Sequence, residues 1–332
     1  MKRFLFLGAS WGQITPLTYF KNSSNIEIYT LDNNTKNPGH LIAKESFNIS
    51  TSNVSEIRKI VKRIGVDAIF CFASDVGQLS QSILSREIGQ HHNPVKSIEV
   101  LTDKFKFRNL LKDAGIQNSF YMKLSKEDLK DKKILSKLLS NLPLVIKPLQ
   151  GSGSKGVNFI FKDEDLPLIH DSLKYSNSGL LIAEQYLAKE GKQICGDGFF
   201  ENSKLVDFST GDGYFYEDSP KRVPYAESFP SSHSEAILDN AKRIIESILN
   251  AAGYIKGPIN FDILVSDETP FVIEVAPRSG GNYIPDVINK HNGVDLLRAN
   301  LNTFSDKAYS FNEKRKKMQY ISSFMIHSKE DG

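Results

Sequence analysis

Alternating strand and helix patterns in the first hundred residues restrict the fold more than any other feature of this chain. RFLFLGAS, IEIYTLD and VDAIFCFAS are short apolar runs typical of buried strands, and VSEIRKIVKRIG, before the third, has helical spacing. This β-α-β-α-β order predicts a parallel, doubly wound, Rossmann-like sheet. Ligands of such sheets bind at the carboxyl ends of the strands, which here include Ser10 and Asp75.

The pattern changes after residue 101. TDKFKFRNLLKDAGI predicts a helix with Thr102 or Asp103 at its cap and Gly115 beyond its end. LPLVIKPL, VNFIF and GLLIAEQYL predict strands, and QICGDGFFENSKLVDFST predicts a hairpin that turns at 201–203. SEAILDNAKRIIESILNAAG predicts a helix whose apolar face comprises Ile237, Ala241, Ile244, Ile245, Ile248 and Leu249. We therefore expect an α+β part after the parallel sheet.

The segment GSGSKG, residues 151–156, matches the spacing G-x-G-x-x-G. A dinucleotide fingerprint needs a helix after the glycines, but VNFIF after this loop is strand-like, so the loop is predicted to join two strands of a hairpin. Glycine amides at such a tip can close over phosphates, although a flexible tip without a ligand would have the same sequence. Lys155 precedes a glycine, which excludes a Walker A loop.

Lys147 lies within the apolar run LVIKPL, just before the glycine loop. A lysine in a buried strand is costly unless it has an anionic partner. Two partners are open: a nucleotide phosphate or a carboxylate of the protein.

The stretch NFDILVSDETPFVIEV predicts a hairpin that turns around Glu268. With that centre Val265 faces Phe271, and Asp262 faces Glu274. Opposed like charges destabilise a sheet, so a proton, Arg278 or a cation should neutralise the pair. Mg²⁺ prefers oxygen ligands and commonly uses one or two carboxylates together with substrate phosphates, which favours a nucleotide–magnesium site.

Composition excludes several classes of protein. A net charge of +3 over 332 residues does not indicate nucleic acid or membrane as a partner. Two cysteines, Cys71 and Cys195, exclude a disulfide framework and a four-cysteine zinc site. The apolar run at 4–7 is shorter than the ~7–15 residue core of a signal peptide, so we expect a cytoplasmic protein.

In their order along the chain, these motifs resemble the ATP-grasp superfamily. The resemblance implies a Rossmann-like domain at 1–101, a small lobe with the phosphate loop at 102–188, and a C-terminal lobe with the metal and substrate site at 189–332. It implies ATP as cosubstrate, with Mg²⁺ or Mn²⁺. The residues it implies for nucleotide binding are Lys104, Lys147, Ser152, Gly153, Ser154, Glu184, Gln185, Tyr186 and Leu187.

Two positions depart from the family pattern. The acid that usually binds ribose is replaced by Gln193, with Glu190 three residues earlier, and either could take the hydroxyl groups. Ala276 stands where many members have a metal-binding Asn, so the resemblance gives Asp262 and Glu274 as metal ligands and Asn282 as a substitute for the third. The number of metal ions stays open.

The activity implied by the resemblance is ligation of a small carboxylate to an amine through an acyl phosphate, with release of ADP and phosphate. Arg278 and Lys147 are the implied catalytic residues, and a homodimer is one implied assembly. Substrate contacts are expected from Arg278, Gly280, Gly281, Asn282, Arg222, Ser10 and Asp75.

Three other functions remain open. A nicotinamide-dependent oxidoreductase would bind ribose through Asp32, although GASWGQ lacks the fingerprint and Asp32 could simply cap a turn. An ATP-dependent carboxylase of the biotin-carboxylase type would phosphorylate bicarbonate. A nucleotide sensor would bind ATP without turnover, and Ala276 keeps that function open.

Overall fold

The computed structural model describes residues 1–23, 25–150, 155–188, 190–216, 224–304 and 309–325. Three sheets, each flanked by helices, make up this part of the chain. The mixture of a parallel sheet and two antiparallel sheets confirms the predicted α/β and α+β fold class.

The first sheet is parallel and comes from the amino-terminal hundred residues. Its strands are β1 (Lys2–Leu7), β2 (Ile26–Asp32), β3 (Glu45–Asn48) and β4 (Ala68–Phe70), in the order β3-β2-β1-β4. Its helices are α1 (Ile14–Lys21), α2 (Val54–Ile64) and α3 (Gln78–Glu87). The three predicted strands are confirmed, whereas the edge strand β3 was not predicted because its burial pattern is mostly exposed.

The predicted turn-capping role of Asp32 is also seen. Its carboxylate accepts hydrogen bonds from the backbone N–H groups of Ala9 and Asn34, both at 2.9 Å. These bonds join the ends of β1 and β2 and explain the acid without a dinucleotide.

The second sheet is antiparallel and contains the strands around the glycine loop. Helices α4 (Val95–Thr102) and α5 (Lys104–Asp113) lead into β5 (Tyr121–Ser125), α6 (Lys132–Leu139), β6 (Leu144–Pro148), β7 (Asn158–Ile160), α7 (Leu168–Lys174) and β8 (Leu180–Gln185). The strand order is β5-β8-β6-β7. Since β6 and β7 pair antiparallel, the glycine loop joins the strands of a hairpin, as predicted.

The third sheet has six antiparallel strands in the order β13-β12-β9-β10-β11-β14. The strands are β9 (Gln193–Glu201), β10 (Lys204–Phe215), β11 (Pro224–Phe229), β12 (Lys256–Ser266), β13 (Thr269–Ala276) and β14 (Ile321–Phe324). The accompanying helices are α8 (Glu235–Ala252), α9 (Ile284–Asn292), α10 (Leu296–Asn302) and α11 (Phe311–Lys314). Short 3₁₀ segments cover Trp11–Gln13, Pro38–Leu41, Asp128–Lys130 and Asp163–Asp165.

Helix α8 buries the apolar face that the sequence predicts. Ala241, Ile245, Ile248 and Leu249 pack in one core with the six-stranded sheet, while Ile237 and Ile244 are partly buried at its margin. Helices α4 and α5 pack into this same core through Ile98, Leu101, Phe107 and Leu111. This packing fixes α5, and with it Lys104, against the large sheet.

The β12–β13 hairpin differs from its predicted register. Its turn is a two-residue loop with positive φ at Asp267 and Glu268, so Leu264 faces Phe271 and the predicted Val265–Phe271 pair is wrong. A bulge between Asp262 and Ile263 then shifts the register by one residue. Because of that shift, Asp262 does face Glu274.

Candidate functional site

A cleft of about 510 Å³ runs between the three sheets. Ligand pockets usually measure roughly 300–1,000 Å³, so the cleft is large enough for a nucleotide and a small substrate. Its walls combine Asp75 from the loop after β4, Lys104 and Arg108 from α5, and residues of β6, β8 and the six-stranded sheet. The cleft therefore depends on every part of the fold.

Asp262 and Glu274 lie on one wall of this cleft, directly opposed on β12 and β13. Burial and the charge of Glu274 raise the pKa of Asp262 to about 7, partly offset by a 2.7 Å hydrogen bond from Gln193 Nε2. Two directly opposed carboxylates suit a hard divalent ion with oxygen ligands. The donor set therefore fits Mg²⁺.

Lys147 has a carboxylate partner within the protein. Its ammonium pairs with Glu184 Oε2, while Arg108 Nε donates to Glu184 Oε1 at 2.7 Å. Burial opposes ionisation of Glu184, but the two cations outweigh it and lower its pKa to about 2. The carboxylate, one of the two predicted partners of Lys147, is thus present, and Glu184 is the centre of a buried ion triad.

Arg108 extends this triad to the hairpin. Its Nη1 and Nη2 donate to the carbonyl oxygens of Val272 at 3.1 Å and Ile273 at 2.8 Å. These carbonyls immediately precede Glu274 on β13. One guanidinium thus ties the strand that carries Glu184 to the strand that carries Glu274.

Lys104 is the first residue of α5, after Asp103, whose side chain caps the helix through the N–H groups of Phe105 and Lys106. Its side chain lines the cleft one helical turn from Arg108. Burial lowers the pKa of Lys104, and the nearby charge of Glu274 partly restores it. A buried ammonium of this kind is suited to receive a phosphate.

The predicted adenine-binding segment follows β8. The backbone N–H groups of Gln185 and Tyr186 already donate to the carbonyl oxygens of Phe120 and Pro143, both at 2.9 Å. The Tyr186 ring packs edge-on against Phe159 at 5.8 Å between centroids, and Leu187 lies beside it on the cleft wall. The side chains of this segment therefore offer a base an apolar wall.

The two predicted ribose ligands lie in different places. Gln193 lines the cleft, where its side chain donates a hydrogen bond to Asp262. The Glu190 carboxylate accepts a hydrogen bond from the Glu268 N–H at 3.2 Å and closes the hairpin turn. Gln193 is therefore the one of the two that the cleft exposes.

Arg278 and Asp75, both predicted substrate residues, bind each other. Arg278 Nε and Nη2 donate to the two oxygens of Asp75 at 2.7 and 3.2 Å, and Nη1 donates to Asn260 Oδ1 at 3.1 Å. Burial works against the charge on Arg278, but Asp75 and more distant carboxylates keep its pKa above the ordinary value. The carboxylate-binding fork of the guanidinium is thus occupied by Asp75.

The glycines after Arg278 differ in surroundings. The N–H of Gly280 donates to the buried carboxylate of Asp197 at 2.8 and 2.9 Å, so this amide is already used, contrary to the predicted substrate contact. Burial raises the pKa of Asp197 to about 7, although hydrogen bonds donated by Gly280 and Asn260 act in the opposite direction. Gly281 lines the cleft and has open space around it.

Asn282, predicted as a third metal ligand, lines the cleft with positive φ. Its Nδ2 faces Glu227 Oε1 at 3.5 Å. Glu227 is 3% exposed, and burial raises its pKa to about 8, with Asp262 and Asp197 adding to the shift and Asn282 opposing it.

Of the remaining predicted residues, Ser10 is described by the structure and does not line the cleft. Ser10 caps the 3₁₀ segment after β1 and is exposed. Ser152, Gly153, Ser154 and Arg222 lie outside the described residues.

Four site residues were missed by sequence reasoning: Arg108, Asp197, Glu227 and Asn260. Asp197 and Glu227 carry the same signal as Lys147, since each is an acid within a mostly apolar or glycine-rich strand. Arg108 and Asn260 had no comparable signal, because an Arg in a helix and an Asn in a strand are common on surfaces.

The comparison with known proteins identifies the family. A family model described as an ATP-grasp domain matches residues 101–282, more than half of the chain. The chain belongs to the ATP-grasp family. The matched part of this ATP-grasp protein includes Lys104, Lys147, Asp262 and Glu274.

Two curated relatives illustrate the range of similar proteins. A carbamoyl phosphate synthase large chain from Caldanaerobacter subterraneus subsp. tengcongensis is 23% identical over 263 residues, which are 75% of this chain and 23% of that protein. A formate-dependent phosphoribosylglycinamide formyltransferase from Prochlorococcus marinus subsp. pastoris is 24% identical over 319 residues, 91% of this chain and 76% of the relative. The chain thus spans about a quarter of the first relative's length.

Among solved structures, the L-amino acid ligase from Bacillus licheniformis superposes with a TM-score of 0.81. The match covers 99% of this chain and 81% of the ligase at 15% identity. At that identity, the likeness is evidence for a shared fold. In the described part of the ATP-grasp protein, no helix combines the length and apolar character that a membrane crossing requires.

Proposed function

We propose that this protein is an ATP-dependent ligase that activates a small carboxylate as an acyl phosphate and joins it to an amine, releasing ADP and phosphate. The observation that carries the proposal is the opposed pair of Asp262 and Glu274 on the cleft wall. Lys104 and Lys147 line the same cleft as this pair, and together these charges are suited to binding a triphosphate with a metal ion.

A substrate carboxylate oxygen attacks the γ-phosphorus of ATP, and the bond from that phosphorus to the β–γ bridging oxygen breaks, which gives an acyl phosphate and ADP. The amine nitrogen then attacks the acyl carbon, phosphate leaves, and the nitrogen loses a proton. Phosphoryl transfer of this kind depends on positioning and charge neutralisation more than on a protein nucleophile.

The chain's own residues supply the positioning. Lys104 and Lys147 would hold phosphate oxygens, with Glu184 and Arg108 keeping Lys147 in place. Arg278, oriented by Asp75, Asn260 and the Ser279 carbonyl, lines the cleft and would orient the carboxylate or its acyl phosphate through the second hydrogen of Nη2. Mg²⁺ bound to Asp262 and Glu274 would neutralise the phosphoryl charge.

The test measures ADP, AMP and phosphate formed from ATP with Mg²⁺ or Mn²⁺, across pools of amino acids, other small acids, bicarbonate and amines. ADP and phosphate that depend on one acid and one amine would support the ligase. AMP and pyrophosphate would contradict the acyl-phosphate route. Bicarbonate-dependent ADP formation would indicate a carboxylase, and ATP binding without turnover would indicate a sensor.

A variant makes this test specific to the carboxylate pair. Glu274→Gln should lower magnesium-dependent turnover by about 10²-fold or more, because one metal ligand loses its charge. Glu235→Gln, an exposed acid at the start of α8, is the matched control and should turn over normally. Full activity in Glu274→Gln would rule out the proposed metal pair.

A further inference from the structure

Glu227 is a carboxylate on the cleft wall without a role in the phosphoryl transfer described above. Glu227 lies on β11 and is 3% exposed. Its Oε1 is 3.5 Å from Asn282 Nδ2, and its Oε2 is buried with no hydrogen-bond partner among the described residues. Leaving a buried carboxylate oxygen unpaired costs about 1–3 kcal/mol or more, so a ligand that donates a hydrogen bond to Oε2 would stabilise the site.

The sheet places Glu227 on the same face as the carboxylate pair. Glu227 on β11 pairs with Gly213 on β10, and Gly213 pairs with Gln193 on β9. The side chain of Gln193 in turn donates a hydrogen bond to Asp262. Gly211 and Gly213 lie on this face of β10, where a Cβ at Gly213 would be 3.2 Å from a ring carbon of Phe215. The side chains of Glu227 and Asp262 line the same cleft.

A metal ion is a poor occupant for this position. Glu227 lies three strands from Asp262, or roughly 14 Å along the sheet at about 4.8 Å per strand. Within the described ranges, no three His, Cys, Asp or Glu side chains are close enough together to hold a metal ion. Glu227 is thus not a third carboxylate ligand for an ion on the Asp262–Glu274 pair.

The charges along the cleft favour an organic cation. Lys104 and Lys147 lie at the phosphate end, whereas the sheet wall carries Asp262, Glu274 and Glu227. Ser323 Oγ, registered opposite Glu227 on β14, is a second buried polar atom without a partner in the described chain. An ammonium group has three N–H donors, enough to satisfy a carboxylate oxygen and a neighbouring hydroxyl.

We propose that Glu227 binds the protonated amino group of a substrate, so that the cleft selects an amino acid or a primary amine over the corresponding neutral molecule. This inference rests on the proposed ligase function, because it names the substrate class of the same cleft. It assigns Glu227 a role in specificity: the carboxylate recognises the ammonium group and takes no part in phosphoryl transfer.

The test is a binding measurement that does not need turnover. The full chain, saturated with ADP and Mg²⁺, is titrated by calorimetry with the twenty L-amino acids and small primary amines. Each is compared with the analogue in which a hydroxyl replaces the amino group. At least one amino compound should bind wild type about tenfold or more tightly than its hydroxyl analogue, the expected loss when a buried charge-paired group is removed.

Variants separate Glu227 from the rest of the cleft. Glu227→Gln should remove that preference, while Glu227→Asp, which keeps the charge, should retain part of it. Glu235→Gln is the exposed control. Affinity for ADP and Mg²⁺ should be the same in all of these proteins, and a loss of Mg²⁺ affinity in Glu227→Gln would overturn the proposal in favour of a metal ligand.

Other results would also overturn it: equal binding of amino and hydroxyl compounds to wild type, no binding of any amino compound, or an unchanged preference in Glu227→Gln. If Glu227→Gln does not fold, the wild-type comparison and Glu227→Asp still decide. Selective amine binding without ADP formation from ATP would leave this inference standing and count against the ligase.

Discussion

Asp75 and Arg278, 203 residues apart in the chain, form a bidentate ion pair. The pair joins the loop after β4 of the parallel sheet to the segment after β13. The Arg278 side chain is 10% exposed and that of Asp75 29% exposed. The pair fixes the orientation of the guanidinium at the cleft wall. Asp75 therefore acts on the cleft through Arg278.

We expect Asp75→Asn to reduce both stability and activity, because the Arg278 charge loses its partner in a largely buried position. The loss in unfolding free energy should be about 2 kcal/mol, less than for a fully buried pair because Asp75 is partly exposed. Turnover should fall about 10²-fold through misplacement of Arg278. Urea unfolding and steady-state kinetics measure both, with exposed Asp239→Asn as control.

Magnesium should stabilise the protein only while the carboxylate pair is intact. Ligand binding to the native state raises stability by RT ln(1 + [L]/Kd), so millimolar Mg²⁺ with ADP should raise the Tm of wild type. Asp262→Asn removes one charged ligand and relieves the repulsion with Glu274. This variant should be at least as stable as wild type without metal and should gain little on addition of Mg²⁺. Differential scanning fluorimetry with EDTA and Mg²⁺ arms tests this, and an equal gain in both proteins would contradict it.

Glu184 should make stability depend on pH in the acid range. Its pKa falls from an ordinary value of 4.5 to about 2 on folding, so its contribution is complete above the unfolded pKa and is lost as pH falls from about 4.5 towards 2. Glu184→Gln leaves Arg108 and Lys147 without their counter-charge and should cost about 3–5 kcal/mol at pH 7.

Urea unfolding of wild type and Glu184→Gln at pH 7, 4.5 and 3 tests this expectation. The difference between the two proteins should shrink as the pH falls. Glu99→Gln, which breaks the exposed pair with Lys106, should change stability by less than about 1 kcal/mol at every pH. A constant difference between wild type and Glu184→Gln would contradict the assigned triad.

The two neighbouring glycines after Arg278 should respond differently to alanine. A Cβ at Gly280 would lie 2.6 Å from Asp197 Oδ1 and 2.9 Å from Asn260 Nδ2, both buried, whereas a Cβ at Gly281 meets nothing within 4 Å. Gly280→Ala should therefore lower stability by about 1–3 kcal/mol and displace Arg278. Gly281→Ala should leave the Tm within error of wild type, and similar losses in both variants would refute this.

Local pattern was sufficient to predict much of the architecture. The strands β1, β2 and β4, the β9–β10 hairpin and the buried face of α8 were predicted because each depends on apolar periodicity over a few neighbouring residues. The edge strand β3 was missed because exposed strands lack that periodicity.

The hairpin that carries Asp262 and Glu274 shows the limit of this reasoning. The predicted opposition of the two acids is confirmed, although the pairing near the turn is shifted by one residue from the predicted register and a bulge compensates. A bulge inserts a residue without any strong local sequence signal, so the correct pair was reached through an incorrect register.

The sequence alone thus determined most of the strands and helices, the ATP-grasp order of motifs, and that Lys147, Asp262 and Glu274 need partners. Only the tertiary structure decided the partners: Glu184 for Lys147, Asp75 for Arg278, and Asp197 for the amide of Gly280. Helix and strand signals are encoded by neighbouring residues. An ion pair between residues 203 positions apart depends on how the sheets pack, and nothing in the local sequence encodes that distance.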